Sequence, residues 1–202
     1  RAIVLDKMFV FERFGVMIRN VLGIGLIIAV GGGAARASQP ATPGIPGNWH
    51  LTWNDEFNSG STATDLAGWS YDLGNNNGWG NNEWEYYTNS AANVSVSTNS
   101  GVGALHIDAI KSSSGTYTSA RIKTDQVFSQ TYGAIEFRAK LPAGQGLWPA
   151  VWMMPLNSTY GGWPTSGEID MLESRGQDTS LVQGSLHSGP ARNQDDVQTQ
   201  TF

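Results

Sequence analysis

The stretch Ser166–Gly176, "SGEIDMLESRG", carries three carboxylates, Glu168, Asp170 and Glu173, on what otherwise reads as an apolar strand. Strands disfavour Asp and Glu, and like charges side by side repel one another. Parity sharpens the problem. On a regular strand Glu168 and Asp170 share one face, while Glu173, an odd number of residues further on, points into the core. A buried, unpaired carboxylate is costly. One β-bulge near Met171–Leu172 returns Glu173 to the side of the other two, and bulges concentrate beside active sites.

With the bulge, the outer acids lie four strand steps apart, about 13 Å between Cα atoms at about 3.3 Å per residue. Two glutamates leaning together bring their carboxyls to about 5–6 Å, near the ~5–5.5 Å spacing of retaining glycosidases. In that chemistry one glutamate attacks the anomeric carbon. The other protonates the leaving oxygen and then activates water, and an aspartate between them helps keep their pKa values apart. On these residues alone, a charged solvent face or a cation site stays open, although the spacing is not that of an EF-hand loop.

The flanking sequence supports an all-β, antiparallel fold. In "ALHIDAI", Leu105, Ile107 and Ala109 alternate with His106 and Asp108. In "YGAIEFRAKL", Ile135, Phe137, Ala139 and Leu141 form one face, and Ala134, Glu136, Arg138 and Lys140 the other. Both have the period of strands with one buried face. Turn-rich pieces such as "STNSGVG", "KSSSGTY" and "LPAGQG" separate them, and no helical periodicity stands out beyond residue 37. Short strands punctuated by Gly, Asn and Ser predict a sandwich or barrel.

Aromatic residues gather near the acids in sequence. Trp148 and Trp152 fall on one face of "GLWPAVWMMP", Trp163 precedes Glu168 in a Gly/Pro loop, and "GNNNGWGNNEWEYYT" adds Trp79, Trp84, Tyr86 and Tyr87. Aromatic rings stack on the apolar faces of sugars, although a single strand Trp is more often core. His187, on the strand expected after the acids, is placed to line a cleft. Asn93-Val-Ser and Asn157-Ser-Thr are glycosylation sequons. No G-x-S-x-G elbow, H-E-x-x-H or phosphate loop occurs, and the chain has no cysteine.

Residues 1–37 read as a secretory signal peptide. Arg19 precedes an apolar run from Val21 to Val30, and "ARA" ends at Ala37. Residues 1–16 upstream of Met17 read as an over-extended reading frame, and 38–48 as a Pro/Gly linker. Without residues 1–37 the chain keeps seven basic and fifteen acidic residues, a net charge of −8. Such a balance disfavours nucleic acid and anionic membranes as partners. The expectation is a secreted, extracellular or periplasmic monomer with no membrane attachment once the leader is removed.

At the acid strand the sequence resembles glycoside hydrolase family 16, and within it the laminarinase-like endo-β-1,3-glucanases. The signature E-[aliphatic]-D-x-x-E is met in its bulged form by Glu168, Asp170 and Glu173. "LTWNDEF", "NNEWEYYT", "SARIKTD", "YGAIEFRAKLPAGQGLWPAVWMMP" and "YGGWPTSGEIDMLESRG" match in order within residues 49–189. The resemblance implies a β-jelly-roll sandwich with a concave glucan cleft, and retaining hydrolysis with no cofactor. It makes Glu168 the nucleophile, Asp170 its assistant and Glu173 the acid/base. It places Trp148, Trp152, Trp163, Arg121, Asn82, Glu83 and His187 on substrate-binding positions, and Glu56 as a ligand of a structural calcium. The family's domain runs on past the strand after the acids, so residues 49–202 are expected to be a catalytic domain lacking its last strands. Two alternatives are a mixed-linkage β-1,3-1,4-glucanase and a non-catalytic β-glucan-recognition protein. The bulge argues against the first, and the presence of all three acids against the second.

Overall fold

Alternation in the sequence becomes strand pairing in the structure. The computed structural model describes residues 2–13, 48–192 and 195–201, and it is almost entirely β. The chain divides into two compact units, residues 1–140 and 141–202.

Among the described residues the first unit holds ten strands: β1 (Ala2–Arg13), β2 (Trp49–Asp55), β3 (Ser70–Asp72), β4 (Glu85–Tyr87), β5 (Val94–Asn99), β6 (Val102–Asp108), β7 (Ile110–Lys111), β8 (Tyr117–Ser119), β9 (Arg121–Lys123) and β10 (Ala134–Lys140). Its main sheet runs β10-β1-β6-β5, with β2 also paired to β1. Strands β3 and β9 form a two-stranded ribbon, and β4-β8-β7 a small sheet. Pairing is antiparallel except between β4 and β8, which the antiparallel expectation did not include. The β5–β6 hairpin turns at Ser100 and Gly101, both left-handed at φ 51° and 80°. Two left-handed residues give the turn whose twist matches the flanking strands, which is why "NSGV" works there. Helix is confined, among the described residues, to Thr62–Asp65, capped by Ser61, and one 3₁₀ turn at Gly78–Gly80.

The reading of residues 1–37 as a leader gives Ala2–Arg13 no place in the fold, whereas the structure pairs that segment with β10, β2 and β6. The β-branched and aromatic content of "AIVLDKMFVFER" suits a strand. The apolar run Val21–Val30, the "ARA" site and nearly all of the 38–48 linker lie outside the described residues.

Phe57, Leu66, Val94, Leu105 and Phe137 are buried in this unit. Strand β10 departs from the two-faced pattern at Ala134, which is buried although its expected face is polar. Gly103 is irreplaceable on steric grounds, since a Cβ there would sit 1.9 Å from the carbonyl oxygen of Phe57. Asn93, the first sequon, is 2 % exposed. Its amide donates to Asp108 O and Thr118 Oγ1, so the folded chain uses it internally and leaves nothing for a glycan. Asn157 is exposed.

The second unit is a four-stranded antiparallel meander: β11 (Ala150–Met153), β12 (Glu168–Arg175), β13 (Asp178–Ser188) and β14 (Asp196–Thr201). Met171 and Leu172 are buried beneath it. Gly176, just past β12, lies so close to the preceding loop that a Cβ would sit 2.3 Å from Gly144 O. Its N–H donates to Leu147 O, and Gly144 N–H donates to its carbonyl. This close approach ties the loop carrying Trp148 to the end of the acid strand.

Candidate active site

The register of β12 resolves the parity problem. On β13, the partners of Glu168, Asp170 and Glu173 are His187, Ser185 and Gln183. Those partners are spaced by two, so they share one face of the sheet, and the three acids share it with them. The extra residue falls between Asp170 and Glu173, and pairing with β11 places it at Met171: Trp152 opposes Asp170 and Val151 opposes Leu172. The bulge expected near Met171–Leu172 is therefore present, and it lets two large apolar side chains stay buried while Glu173 turns out.

Each outer acid has an indole donor. Trp148 Nε1 donates to Glu173 Oε1 at 2.9 Å, and Trp163 Nε1 donates to Glu168 Oε2 in a short hydrogen bond. Trp152 stands across the strand from Asp170 on the same face. The sequence places these three tryptophans beside the acids but as sugar platforms. The structure gives Trp148 and Trp163 a second task, holding the carboxylates. Trp163 is in any case partly covered, with the Arg192 guanidinium 4.8 Å from its ring centre and the His187 ring tilted against it at 5.6 Å. Trp148 keeps half its surface exposed.

Asp170 is 6 % exposed and is the perturbed member of the trio. Burial, reinforced by the charges of Glu168 and Glu173 and by a hydrogen bond to Glu168, pushes its carboxyl up to about 7, against a downward pull from His187. Three carboxylates crowd one face here, and a proton on the central one relieves their repulsion. His187 Nε2 lies 3.1 Å from Asp170 Oδ2, and its Nδ1 lies 2.7 Å from Asp195 Oδ2. Burial pulls the imidazole pKa down, but the Asp195 hydrogen bond and the charges of Asp170, Asp195 and Glu168 outweigh it, so the net shift is upward. Asp195 escapes the sequence reading altogether. The only signal for it is the pair "DD" at the return of a hairpin opposite His187, which becomes legible once β14 is paired to β13.

The remaining predicted residues lie in the first unit. Arg121 pairs with Asp72 at 2.9 Å, and its guanidinium lies 4.6 Å from the centre of the Trp79 ring. Lys123 also reaches Asp72, at 2.9 Å. Glu83 accepts from Asn81 and faces the Tyr87 hydroxyl at 2.5 Å. Asn82 is exposed, with a left-handed φ of 57°. Glu56 takes a hydrogen bond from Asn58. Among the described residues it joins no group of three or more His, Cys, Asp or Glu side chains that could hold a metal.

Comparison with known proteins gives a consistent result. Residues 69–202 match the model of the XgeA-like catalytic domain of glycoside hydrolase family 16. The chain is 46 % identical over 162 residues to a glucan endo-1,3-beta-glucosidase of Cryptopygus antarcticus, covering 76 % of this chain and 56 % of that one. It is 43 % identical over 166 residues to glucan endo-1,3-beta-glucosidase A1 of Niallia circulans, covering 74 % and 23 %. The laminarinase of Rhodothermus marinus superposes with a TM-score of 0.65 at 38 % identity, over 76 % of this chain and 62 % of that structure. The chain thus spans at most about half the length of these curated relatives.

Proposed function

This chain belongs to glycoside hydrolase family 16 and has the β-jelly-roll fold of its laminarinases, and on that premise we propose that it comes from a secreted, retaining endo-glycosidase that cleaves β-1,3-glucan. The observation that carries the reading is the Met171 bulge, which sets Glu168, Asp170 and Glu173 on one face. In a double displacement Glu168 attacks the anomeric carbon while Glu173 protonates the departing glycosidic oxygen. Glu173 then takes a proton from water, which displaces the sugar from Glu168 with a second inversion, so configuration is retained. A proton held at Asp170 lowers the repulsion around Glu168. The Trp163 and Trp148 indoles hold the two glutamates in their working rotamers. Exposed Trp148 offers an aromatic face for a glucose ring. Names of the relatives support β-1,3-glucan as substrate, and the bulged signature favours it over a dedicated mixed-linkage specificity.

The test is hydrolysis of laminarin by the full-length enzyme, with proton NMR of the first-formed reducing ends. The expected product is the β-anomer, turning into the α/β mixture only by mutarotation, with Glu168→Gln retaining laminarin binding but not turnover. First-formed α-anomer, or hydrolysis by Glu168→Gln at the parent rate, would refute the assignment.

A further inference from the structure

His187 stands between two aspartates that the sequence separates by 25 residues, Asp170 on β12 and Asp195 just before β14. A neutral imidazole has one N–H and one lone pair, so it cannot donate to two carboxylates at once. With Asp195 protonated and donating to Nδ1, Nε2–H would face an ionised Asp170, leaving the crowded carboxylates of β12 all charged with no cation beside them. Two arrangements remain that satisfy both contacts. In one, an imidazolium faces two ionised aspartates. In the other, Nδ1–H donates to Asp195 while Nε2 accepts from a protonated Asp170. Both carry the same total charge and differ only in where one proton sits, on His187 Nε2 or on the Asp170 carboxyl. Both require the Nδ1 proton to be held by Asp195.

Asp195 is built for that task. Its side chain is 13 % exposed, and its Oδ1 is buried with no hydrogen-bond partner among the described residues, so the imidazole is the group that answers its charge. The titratable and charged groups around the pair are Glu168, Asp170 and Glu173 from β12 and Arg192, which stacks on Trp163 beside the imidazole.

We propose that Asp195 is a positioning residue for the hydrolysis, acting through His187 on Asp170: it fixes the imidazole with Nδ1 protonated and keeps one proton in the Asp170–His187 dyad at working pH. The dyad with one proton is the working form. Losing that proton leaves Asp170 ionised between Glu168 and Glu173 beside a neutral imidazole, with nothing to offset the repulsion of the three carboxylates. This rests on the glycosidase reading above, yet part of its test does not. Asp195→Asn keeps an acceptor oxygen for Nδ1–H but removes the charge, whereas Asp195→Ala removes both.

The experiment uses the full-length protein with isotope-labelled histidine and follows the His187 ring by NMR against pH, alongside the pH profile of kcat/KM on laminarin. In Asp195→Asn the His187 midpoint is expected to fall by about one pH unit, because an anion in contact has been removed. The alkaline limb of the profile moves down with it, since the two groups titrate as a pair. Asp195→Ala lowers kcat about tenfold or more with KM within about twofold, the signature of a residue behind the reacting groups rather than against the sugar. A His187 midpoint unmoved in Asp195→Asn overturns the proposal, as does a loss confined to KM. If the parent protein does not hydrolyse laminarin, the functional reading fails while the NMR titration still decides whether Asp195 governs His187.

Discussion

Two clusters in this chain use the same ingredients, acids, tryptophan and a cation, to opposite ends. Around Trp79 in the first unit, charge meets charge: Asp72 takes both Arg121 and Lys123, and the Arg121 guanidinium sits over the indole. On β12 in the second unit, three carboxylates share a face with one imidazole and two indole N–H groups among their described partners. The first arrangement neutralises its charges as it forms. The second leaves a surplus of negative charge that is relieved by holding a proton on Asp170. Compensated charge stabilises a fold, whereas uncompensated charge held at a fixed spacing is a reagent.

The strongest way to break that contrast is to remove one of its outer acids. Glu173→Gln keeps the size of the side chain and an acceptor for the Trp148 indole but cannot give or take a proton, and it should lower kcat on laminarin by about 10²–10⁴-fold. Stability should not fall, because one of three crowded charges has gone. Turnover at the parent rate would mean that Glu173 is not the acid/base.

A smaller effect is expected from Trp148→Phe, which keeps a ring and removes the N–H that Glu173 accepts. A hydrogen bond to a charged group contributes about 1.5–3 kcal/mol, so kcat/KM should fall about ten- to a hundredfold with little change in melting temperature. A loss seen only in KM would return Trp148 to the role of a sugar platform.

The proton on Asp170 makes stability depend on pH. Its folded pKa, about 7, lies above the unfolded value of 3.8, so its contribution is complete below about pH 4 and is lost as pH rises through 7. His187 is also raised, from 6.5, and extends the loss above neutrality. Chemical denaturation should therefore show the protein about 1–3 kcal/mol less stable at pH 8 than at pH 5, a slope that Asp170→Asn flattens. A stability curve that rises from pH 5 to 8 in the parent would contradict the surplus-charge picture. At the small end, Lys123→Met in the compensated cluster should cost less than about 1 kcal/mol, because the ammonium is half exposed and Arg121 still answers Asp72.

The contrast also marks what the sequence discloses. Strand alternation in "ALHIDAI" and "YGAIEFRAKL" and the parity of Glu168, Asp170 and Glu173 are local signals, and they specify the β architecture and the bulge. The indole donors of Glu168 and Glu173 are not legible, because a tryptophan's N–H direction depends on how its loop folds back. For Trp148 that direction is bound up with the close approach of Gly176 to Gly144. Asp195 is hidden for the same reason, brought to His187 only by the β13–β14 hairpin. Asn93 reads as a sugar acceptor by its triplet and turns out to be a buried hydrogen-bonding residue, since a triplet carries no information about burial.

The measurement that tests the central assignment most directly is trapping of the glycosyl-enzyme. The full-length protein is incubated with an activated 2-deoxy-2-fluoro β-glucoside of the laminari-oligosaccharide type, then digested and sequenced by mass spectrometry. One covalent sugar on Glu168 is the predicted result. A label on Asp170 or Glu173, or turnover of laminarin with release of the α-anomer and no adduct, would contradict it.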